Sequence, residues 1–389
     1  MKHNIKLTLL STLVLGSYGV QAAGTLVSEM SKMNVSTAGA GGAAVAENAS
    51  VAYSNPAGMS YLDKRSLSVN AAGMYMDIRY HDARTDDLSS GNAGGFQPYG
   101  SLYWVEPVSE NIHLGLSLVA TGGSALDYGT SYAGQLELND LRLSVMQLNP
   151  AVSYQINDSF SIGAGVQFDY ASFEQTLVRE NVELETDSAA FGYNLGVIYQ
   201  INDNHRLGLS YRSQMKHDLT GNVDTSVGYN GDIGLNIVNP AQLEISGLHQ
   251  LNEPLSVVWS VGFEEWSEND SSRIDINDNE IGQIQRGFDD LWIAALGARY
   301  QVTPTWRLEA GVGYASSPLD DPQRQSADLP VDEQYRYGLG ATYDWSKRVS
   351  VNGYYSYVDY GTPEIDGKFM TGQFDNSNQF FGVTVNVSF

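Results

Sequence analysis

The 389-residue sequence predicts an all-β protein: a 14-stranded antiparallel transmembrane β-barrel whose lumen is plugged by an N-terminal segment. Three observations predict this fold. Segments of about ten residues alternate between apolar and polar side chains. Short and long connections alternate along the chain, and the N-terminus has the pattern of an export signal. Together these features favour a barrel that crosses a membrane with strands.

The composition agrees with an all-β chain. The sequence contains 40 Gly and 24 Tyr, only 17% charged residues, and a mean hydropathy of -0.24. Such a chain is rich in strand and turn formers without being strongly apolar. The sequence also lacks cysteine, which excludes a disulfide framework and a thiolate metal site.

Residues 1–22 are predicted to be a cleaved signal peptide. Lys2 and Lys6 precede the apolar run 7–16, and Ala22 ends a small-residue cleavage site. Without this segment 19 basic and 45 acidic residues remain, which gives a formal charge of -26. A charge of this sign disfavours nucleic-acid binding. Together with the barrel pattern, the signal peptide predicts an exported protein of the bacterial outer membrane.

The alternation is clearest in residues 305–315, where every second side chain from Trp306 to Tyr314 is apolar or aromatic. Similar segments predict fourteen strands at 65–80, 97–108, 111–121, 141–155, 159–173, 187–201, 205–217, 241–250, 255–267, 288–300, 305–315, 332–345, 348–359 and 379–389. Tight turns and long loops alternate between them, as in outer-membrane barrels. The apolar face should point to lipid and the polar, glycine-rich face to the lumen. The alternative is a large soluble β-sandwich or barrel with its apolar residues inside.

The fourth predicted strand contains Asn149-Pro150-Ala151. Its apolar parity changes from Leu141, Leu143 and Val145 before the proline to Val152, Tyr154 and Ile156 after it. A proline also removes a ladder hydrogen bond. The sequence therefore predicts a β-bulge at Pro150.

Residues 23–62 do not alternate, so in a barrel they can pack only inside the lumen. This Gly/Ala-rich segment ends in "VAYSNPAGMSYL", and later blocks include "YRSQMKHDLTGN", "GFEEWSEND" and "GFDDLWIAALGARY". The ordered set resembles the FadL-type long-chain fatty-acid outer-membrane transporters, which include relatives for aromatic hydrocarbons. The expected organisation is a signal peptide at 1–22, a hatch (plug) at 23–62 and a barrel at 63–389.

The resemblance implies a mechanism as well as a fold. In the family the hatch touches the third strand, which kinks inward and opens a gap through which ligand diffuses laterally into the membrane. Asn55, Pro56 and Ala57 are then expected to couple the hatch to the wall. Gly115, in the third predicted strand, is the expected kink because strand glycines permit bends. The analogy also implies a monomer surrounded by outer-membrane lipid and lipopolysaccharide, and no cofactor.

The expected ligand is a hydrophobic small molecule, with long-chain fatty acids first and aromatic hydrocarbons such as toluene as the alternative. A fatty acid needs an apolar cavity for its tail and a cation or donors for its carboxylate. Arg212, Lys216 and Arg336 share the parity of the lumen face and are the predicted ligand-binding residues. The alternative role for each is a salt bridge to a lumen acid such as Asp169 or Glu264.

Three other functions have weaker support. A general porin would need an open lumen. An outer-membrane protease could use His81-Asp82 or His217-Asp218 at the barrel top to activate water, but its smaller barrel would not match the strand count. The acidic run 267–280 could bind calcium, although its carboxylates lack ordered spacing. We therefore expect no enzyme activity and no metal site.

Overall fold

The computed structural model describes residues 27–177, 182–224, 230–277 and 279–389. In these residues nineteen strands form a single sheet, and the first and last long strands pair along their whole length, which closes a barrel. The strands are β1 Ser66–Asp82, β2 Gly95–Pro107, β3 Ile112–Asp127, β4 Asp140–Asn157, β5 Phe160–Leu177, β6 Val182–Asn202, β7 His205–Arg212, β8 Met215–Asp224, β9 Asn230–Asn239, β10 Gln242–Asn252, β11 Leu255–Glu264, β12 Ser271–Ile276, β13 Asn279–Gln285, β14 Leu291–Thr303, β15 Trp306–Ala315, β16 Gln334–Ser346, β17 Val349–Asp359, β18 Glu364–Asp366 and β19 Thr371–Ser388.

The barrel itself has fourteen antiparallel strands, as predicted. Four of them are interrupted near mid-height, so that β7 continues as β8, β9 as β10, β11 as β12 and β13 as β14, while the short β18 lies beside β19. This continuity shows in the pairing, because β6 pairs with both β7 and β8, while β7 pairs with β10 and β8 pairs with β9. The described residues contain no helix long and apolar enough to cross a bilayer.

The extracellular connections differ from the prediction. Ranges 174–186, 218–240 and 268–287 were expected as loops, but β5 and β6, β8 and β9, and β12 and β13 extend through most of them. Their inner face is apolar and buried, formed by residues such as Leu184, Leu219, Leu235 and Ile274. Strand pairing therefore continues beyond the predicted strand ends, because these hairpins enclose an apolar core of their own inner side chains.

The parity change in β4 has a different origin from a bulge. Burial alternates without interruption through Pro150: Leu141, Leu143 and Val145 face the lumen, whereas Val152 and Tyr154 face outward. The pairing of β4 with β5 keeps one register from Asp140 to Gln155, across Pro150, and omits only the pairs at residues 149 and 150 in that range. The predicted bulge is therefore wrong. The apolar side chains change sides because the upper lumen is apolar and the lower lumen is polar.

The hatch segment, Val27–Leu62, lies inside this ring of strands. It contains two short helices and two 3-10 turns: α1 Ser28–Ser31, Val35–Thr37, α2 Val51–Ser54 and Pro56–Tyr61. Its polar contacts reach opposite sides of the wall, as in the bonds of Ser36 Oγ to Glu309 Oε2 at 2.6 Å and of Ser60 Oγ to Ser153 Oγ at 3.0 Å. The predicted signal peptide and residues 23–26 lie outside the described residues.

Glycines in the wall allow the hatch backbone to touch the strands. A Cβ built on Gly163, Gly208, Gly311 or Gly338 would overlap backbone atoms of the hatch. The atom met at Gly311 is the carbonyl oxygen of Thr37, which cannot move aside without shifting the turn around it. The lower half of the hatch is thus fixed by shape as well as by hydrogen bonds.

Extracellular segments cover the top of the lumen. Tyr128 and Tyr132 stack with ring centroids 5.0 Å apart, and Tyr80 lies 5.3 Å from Phe374. The Tyr128 hydroxyl donates to the carbonyl oxygen of Ala327 at 2.8 Å, which joins the loop after β3 to the loop after β15. In the first of these loops burial raises the pKa of the Glu137 carboxyl to about 7, an effect that Lys368 opposes and Asp328 reinforces.

Gly311→Ala tests the close contact between wall and hatch. We expect the substitution to lower the free energy of unfolding by about 1–3 kcal/mol, because the new methyl group must displace the Thr37 carbonyl. Urea unfolding in lipid vesicles measures this change. Gly353→Ala is the matched control, since a Cβ at Gly353 meets no atom within 4 Å. Equal stabilities for the two variants would contradict the contact.

Glu137 predicts a pH dependence of the extracellular cover. The folded loop holds the Glu137 proton up to about pH 7, whereas the unfolded loop releases it near pH 4.5. Local stability is therefore greatest below pH 4.5, falls by up to about 3 kcal/mol as the pH rises to 7, and is constant above that. Hydrogen exchange of residues 128–139, corrected for intrinsic rates, measures the change. Glu137→Gln should remove this pH dependence. The control variant Glu110→Gln, in an exposed turn, should keep it.

Candidate functional site

The barrel wall parts between β2 and β3. These two strands pair from Pro107–His113 up to Ser101–Val119, and no pairs follow above that point. The upper part of β2 continues to pair with β1, and the upper part of β3 continues to pair with β4. A bond from the Asp127 amide to the Ala93 carbonyl, at 2.7 Å, joins the two sides again at the top. The result is a window in the wall between residues 95–100 and 120–126.

A β-bulge in β3 produces this window. The register with β4 shifts between Ala120 and Gly122, which leaves Thr121 as the extra residue. Leu118 is 44% exposed on the outer face, but Ala120, two residues on, is only 7% exposed. The strand therefore bends inward at Thr121. The amide of Val27 donates to the Thr121 carbonyl oxygen at 3.1 Å, so the start of the hatch binds the bulge.

A cavity of about 90 Å³ lies behind the window. Gly123 and Ser124 of β3 line one side, and Met76 and Ile78 of β1 line another. The rest of the lining is mainly apolar above and polar below, where Glu29, Glu264 and Arg336 lie. A molecule held in this cavity would contact the apolar side chains of the upper lining and the small group of charged side chains below them.

A second cavity, of about 60 Å³, adjoins the first across the same charged side chains. Arg336 Nε donates to Glu29 Oε1 at 2.8 Å, and Lys32 Nζ donates to Glu244 Oε2 at 2.9 Å. The Nη1 of Arg336 is buried and has no hydrogen-bond partner. Residues of the hatch thus supply half of each ion pair, and Arg336, which lines both cavities, keeps one buried donor without a partner among the described residues.

The structure separates the three predicted ligand-binding residues. Arg336 lines both cavities. Arg212 does not line either one: its Nη1 donates to the Tyr53 carbonyl at 2.8 Å, and its guanidinium carbon lies 3.9 Å from the centroid of the Tyr53 ring. Arg212 therefore anchors the hatch.

Lys216 lies on the outer face of β8, so its predicted lumen position is wrong. The break between β7 and β8, at residues 213–214, changes the parity of the strand: Arg212 and Met215 are both buried on the lumen side. If alternation is counted along the strand without allowing for this break, every residue after it is assigned to the wrong face of the wall.

Asn55, Pro56 and Ala57 join the hatch to the wall at β5, β6 and β7. The Asn55 amide nitrogen donates to the Val197 carbonyl at 3.1 Å, and the Ala57 carbonyl accepts from Ser161 Oγ at 3.0 Å. The Asn55 oxygen accepts the amide of Ala57 at 3.1 Å, which closes the turn.

Gly115 is not the kink of β3, because the ladder is regular there and bends six residues later. Its role is close approach: a Cβ at Gly115 would overlap Met59 and Ala52 of the hatch. Sequence reasoning missed Thr121, since a bulge depends on pairing with β4. It also missed Lys32 and Glu29, since only barrel residues were considered as charged ligands.

The His-Asp pairs do not form catalytic dyads. His217 is buried, with Nε2 3.6 Å from Asp169 Oδ2, whereas Asp218 points outward. His81 is outward, 3.0 Å from Asp375, whereas Asp82 is buried. Neighbouring residues of a strand face opposite sides, so each pair is split by the wall. Among the described residues, no three His, Asp or Glu side chains are grouped to hold a metal ion.

Related proteins align with this chain over most of their length. The chain is 28% identical to outer membrane protein P1 of Haemophilus influenzae over 92% of its own length and 90% of that protein. It is 24% identical to the long-chain fatty acid transport protein of Salmonella typhi, over 95% and 94% of the two chains.

Solved structures agree with the fold. A FadL homologue of Pseudomonas aeruginosa gives a TM-score of 0.86 at 21% identity, covering 94% of this chain and all of that one. The toluene transporter TbuX of Ralstonia pickettii gives 0.73 at 19%, covering 92% and 98%. Residues 13–389 match the family described as outer membrane protein transport protein (OMPP1/FadL/TodX), and the chain therefore belongs to this family of outer-membrane transport channels.

Proposed function

We propose that this outer-membrane channel takes up hydrophobic compounds with a polar end, long-chain fatty acids first among them. The ligand binds in the cavities around Arg336 and leaves sideways through the window between β2 and β3. The observation that carries this proposal is the position of the larger cavity directly behind the window, with Gly123 and Ser124 shared by both.

The lower lumen supports a sideways route. Below the cavities, charged side chains of the hatch and of the wall form ion pairs beside a third cavity of about 210 Å³. Arg299, for example, bonds both Glu309 of the wall, at 3.4 Å, and Glu47 of the hatch. An alkyl chain crossing this layer would desolvate buried charges, which costs several kcal/mol per ion. The window instead leads directly into hydrocarbon. A hatch that bonds to opposite sides of the wall also disfavours a general porin.

Fatty acids are the first candidate because long-chain fatty acid transport proteins are among the full-length relatives. Arg336 lines both cavities and is the donor that this proposal assigns to an oxygen of the head group. Aromatic hydrocarbons such as toluene are the second candidate. The apolar lining of the larger cavity, which includes Trp266 and Leu291, favours them because it needs no polar end on the ligand.

Uptake of labelled oleate by cells with and without the protein tests the substrate class, with unlabelled toluene as competitor. Protein-dependent uptake that toluene leaves unchanged is the expected result. If oleate uptake does not depend on the protein, the fatty-acid proposal fails and toluene becomes the substrate to measure next.

Deletion of Thr121 tests the route. Without the extra residue β3 regains one register, and its upper half can pair with β2 and close the window. We expect protein-dependent oleate uptake to fall by at least about tenfold, which corresponds to about 1.4 kcal/mol in the barrier. Thr121→Ala keeps the bulge and should keep uptake.

Heat-modifiable mobility on gels would show that the deletion variant still forms a barrel. Normal uptake by a folded deletion variant would contradict the lateral route.

A further inference from the structure

We propose that the cavities around Arg336 bind the polar end of the ligand as a neutral hydrogen-bonding group, so that a fatty acid enters as the undissociated acid and not as the carboxylate. This inference rests on the proposed function and concerns the chemical form of its substrate. It follows from the charges and hydrogen bonds of the residues that line the two cavities.

The side chains that line the smaller cavity carry a net negative charge. Around the smaller cavity lie two cations, Lys32 and Arg336, and three carboxylates, Glu29, Glu244 and Glu264. With their ordinary charges these groups sum to -1. The larger cavity adds Asp328, whose charge is matched by Arg286 at 3.1 Å. A carboxylate ligand would therefore bring a second uncompensated negative charge into a low-dielectric site.

Both cations of the lining are already paired with carboxylates. Lys32 is held by Glu244 and Arg336 by Glu29, both at hydrogen-bonding distance. Glu264 is different, because its two oxygens accept from neutral donors, Gln242 Nε2 and Trp266 Nε1, each at 2.8 Å. Glu264 still interacts electrostatically with both cations. Neither cation is thus left to balance an anionic ligand.

The site combines a hydrogen-bond donor without a partner with a carboxylate acceptor. Arg336 Nη1 is a buried donor without a partner, and the carboxylate of Glu264 has lone pairs beyond its two bonds. A group that both accepts and donates fits this combination. An undissociated carboxylic acid can accept from Arg336 through its carbonyl oxygen and donate its O–H to a carboxylate, as can an alcohol through one oxygen. A carboxylate anion can only accept.

The test compares dodecanol and laurate binding to the purified full-length chain in phosphatidylcholine nanodiscs, from pH 5 to pH 9. We expect dodecanol affinity to be constant with pH. Laurate affinity should fall about tenfold per pH unit once the free acid is ionised, because only the protonated form binds. Calorimetry at pH 8 in buffers of different ionisation enthalpy should show uptake of one proton per laurate bound and none per dodecanol.

Glu264→Gln provides the matching variant. It removes one negative charge from the lining and keeps one acceptor oxygen, so that either Gln242 Nε2 or Trp266 Nε1 retains its bond. The ratio of laurate affinity to dodecanol affinity at pH 8 should then rise by about tenfold, and the pH slope of laurate affinity should become smaller. Glu174→Gln, which makes the same charge change on the outer face of β5, is the control.

Laurate affinity that does not depend on pH, or laurate binding without proton uptake, would overturn the inference and leave the proposed function standing. Since both of these measurements use the native chain, they do not depend on how well a variant folds. Failure of dodecanol and laurate to bind at any pH would contradict the proposed function, and this inference with it.

Discussion

The structure depends on one constraint: in hydrocarbon, a backbone N–H or C=O group has no water to bind, so each strand must pair along both edges. The closure of β1 on β19, with seventeen registered pairs from Ser66–Ser388 to Asp82–Gly372, satisfies it at the seam. The window between β2 and β3 is a local exception. It is sustained because the hatch replaces part of the missing pairing, through the bond from Val27 to Thr121. The hatch thus satisfies one backbone group at the edge of the opening.

The lumen has two chemically distinct halves that divide the work of the channel. The lower half is polar, and its glycines let the hatch backbone rest directly on the strands. The upper half is apolar and is covered by the extracellular hairpins and the aromatic cluster around Tyr80 and Tyr128. The charged group at Arg336, Glu29 and Lys32 lies where these halves meet. A ligand with an apolar tail and a small polar end fits that boundary better than either half alone.

Much of this was predictable because it depends on local periodicity. Alternation and connection length predicted the closed barrel of fourteen strands, and the resemblance predicted the family. The errors come from features that pairing decides. Lys216 was assigned to the lumen because a two-residue break between β7 and β8 is invisible to parity counting. The inward bend was expected at Gly115, but it lies at Thr121, where only the register against β4 reveals it.

The charged site was predictable only in part. Arg336 was selected because its parity placed it inside, and it does line the cavities. Its partner Glu29 comes from a segment 307 positions away, which no local pattern could identify. Arg212 had the same parity but anchors Tyr53 instead, because the hatch helix passes next to it. Which inward cation meets a ligand is therefore decided by the path of the hatch through the barrel.

The central claim is that ligand moves from the Arg336 cavities through the window while the lower hatch stays in place. A crystal structure with 12-bromododecanol tests it directly, because the anomalous signal of bromine locates the tail. The account predicts the hydroxyl at Arg336 and the bromine within the apolar cavity or between β2 and β3 above Ser101. Bromine in the polar layer near Glu47 and Arg299, below these cavities, would contradict it.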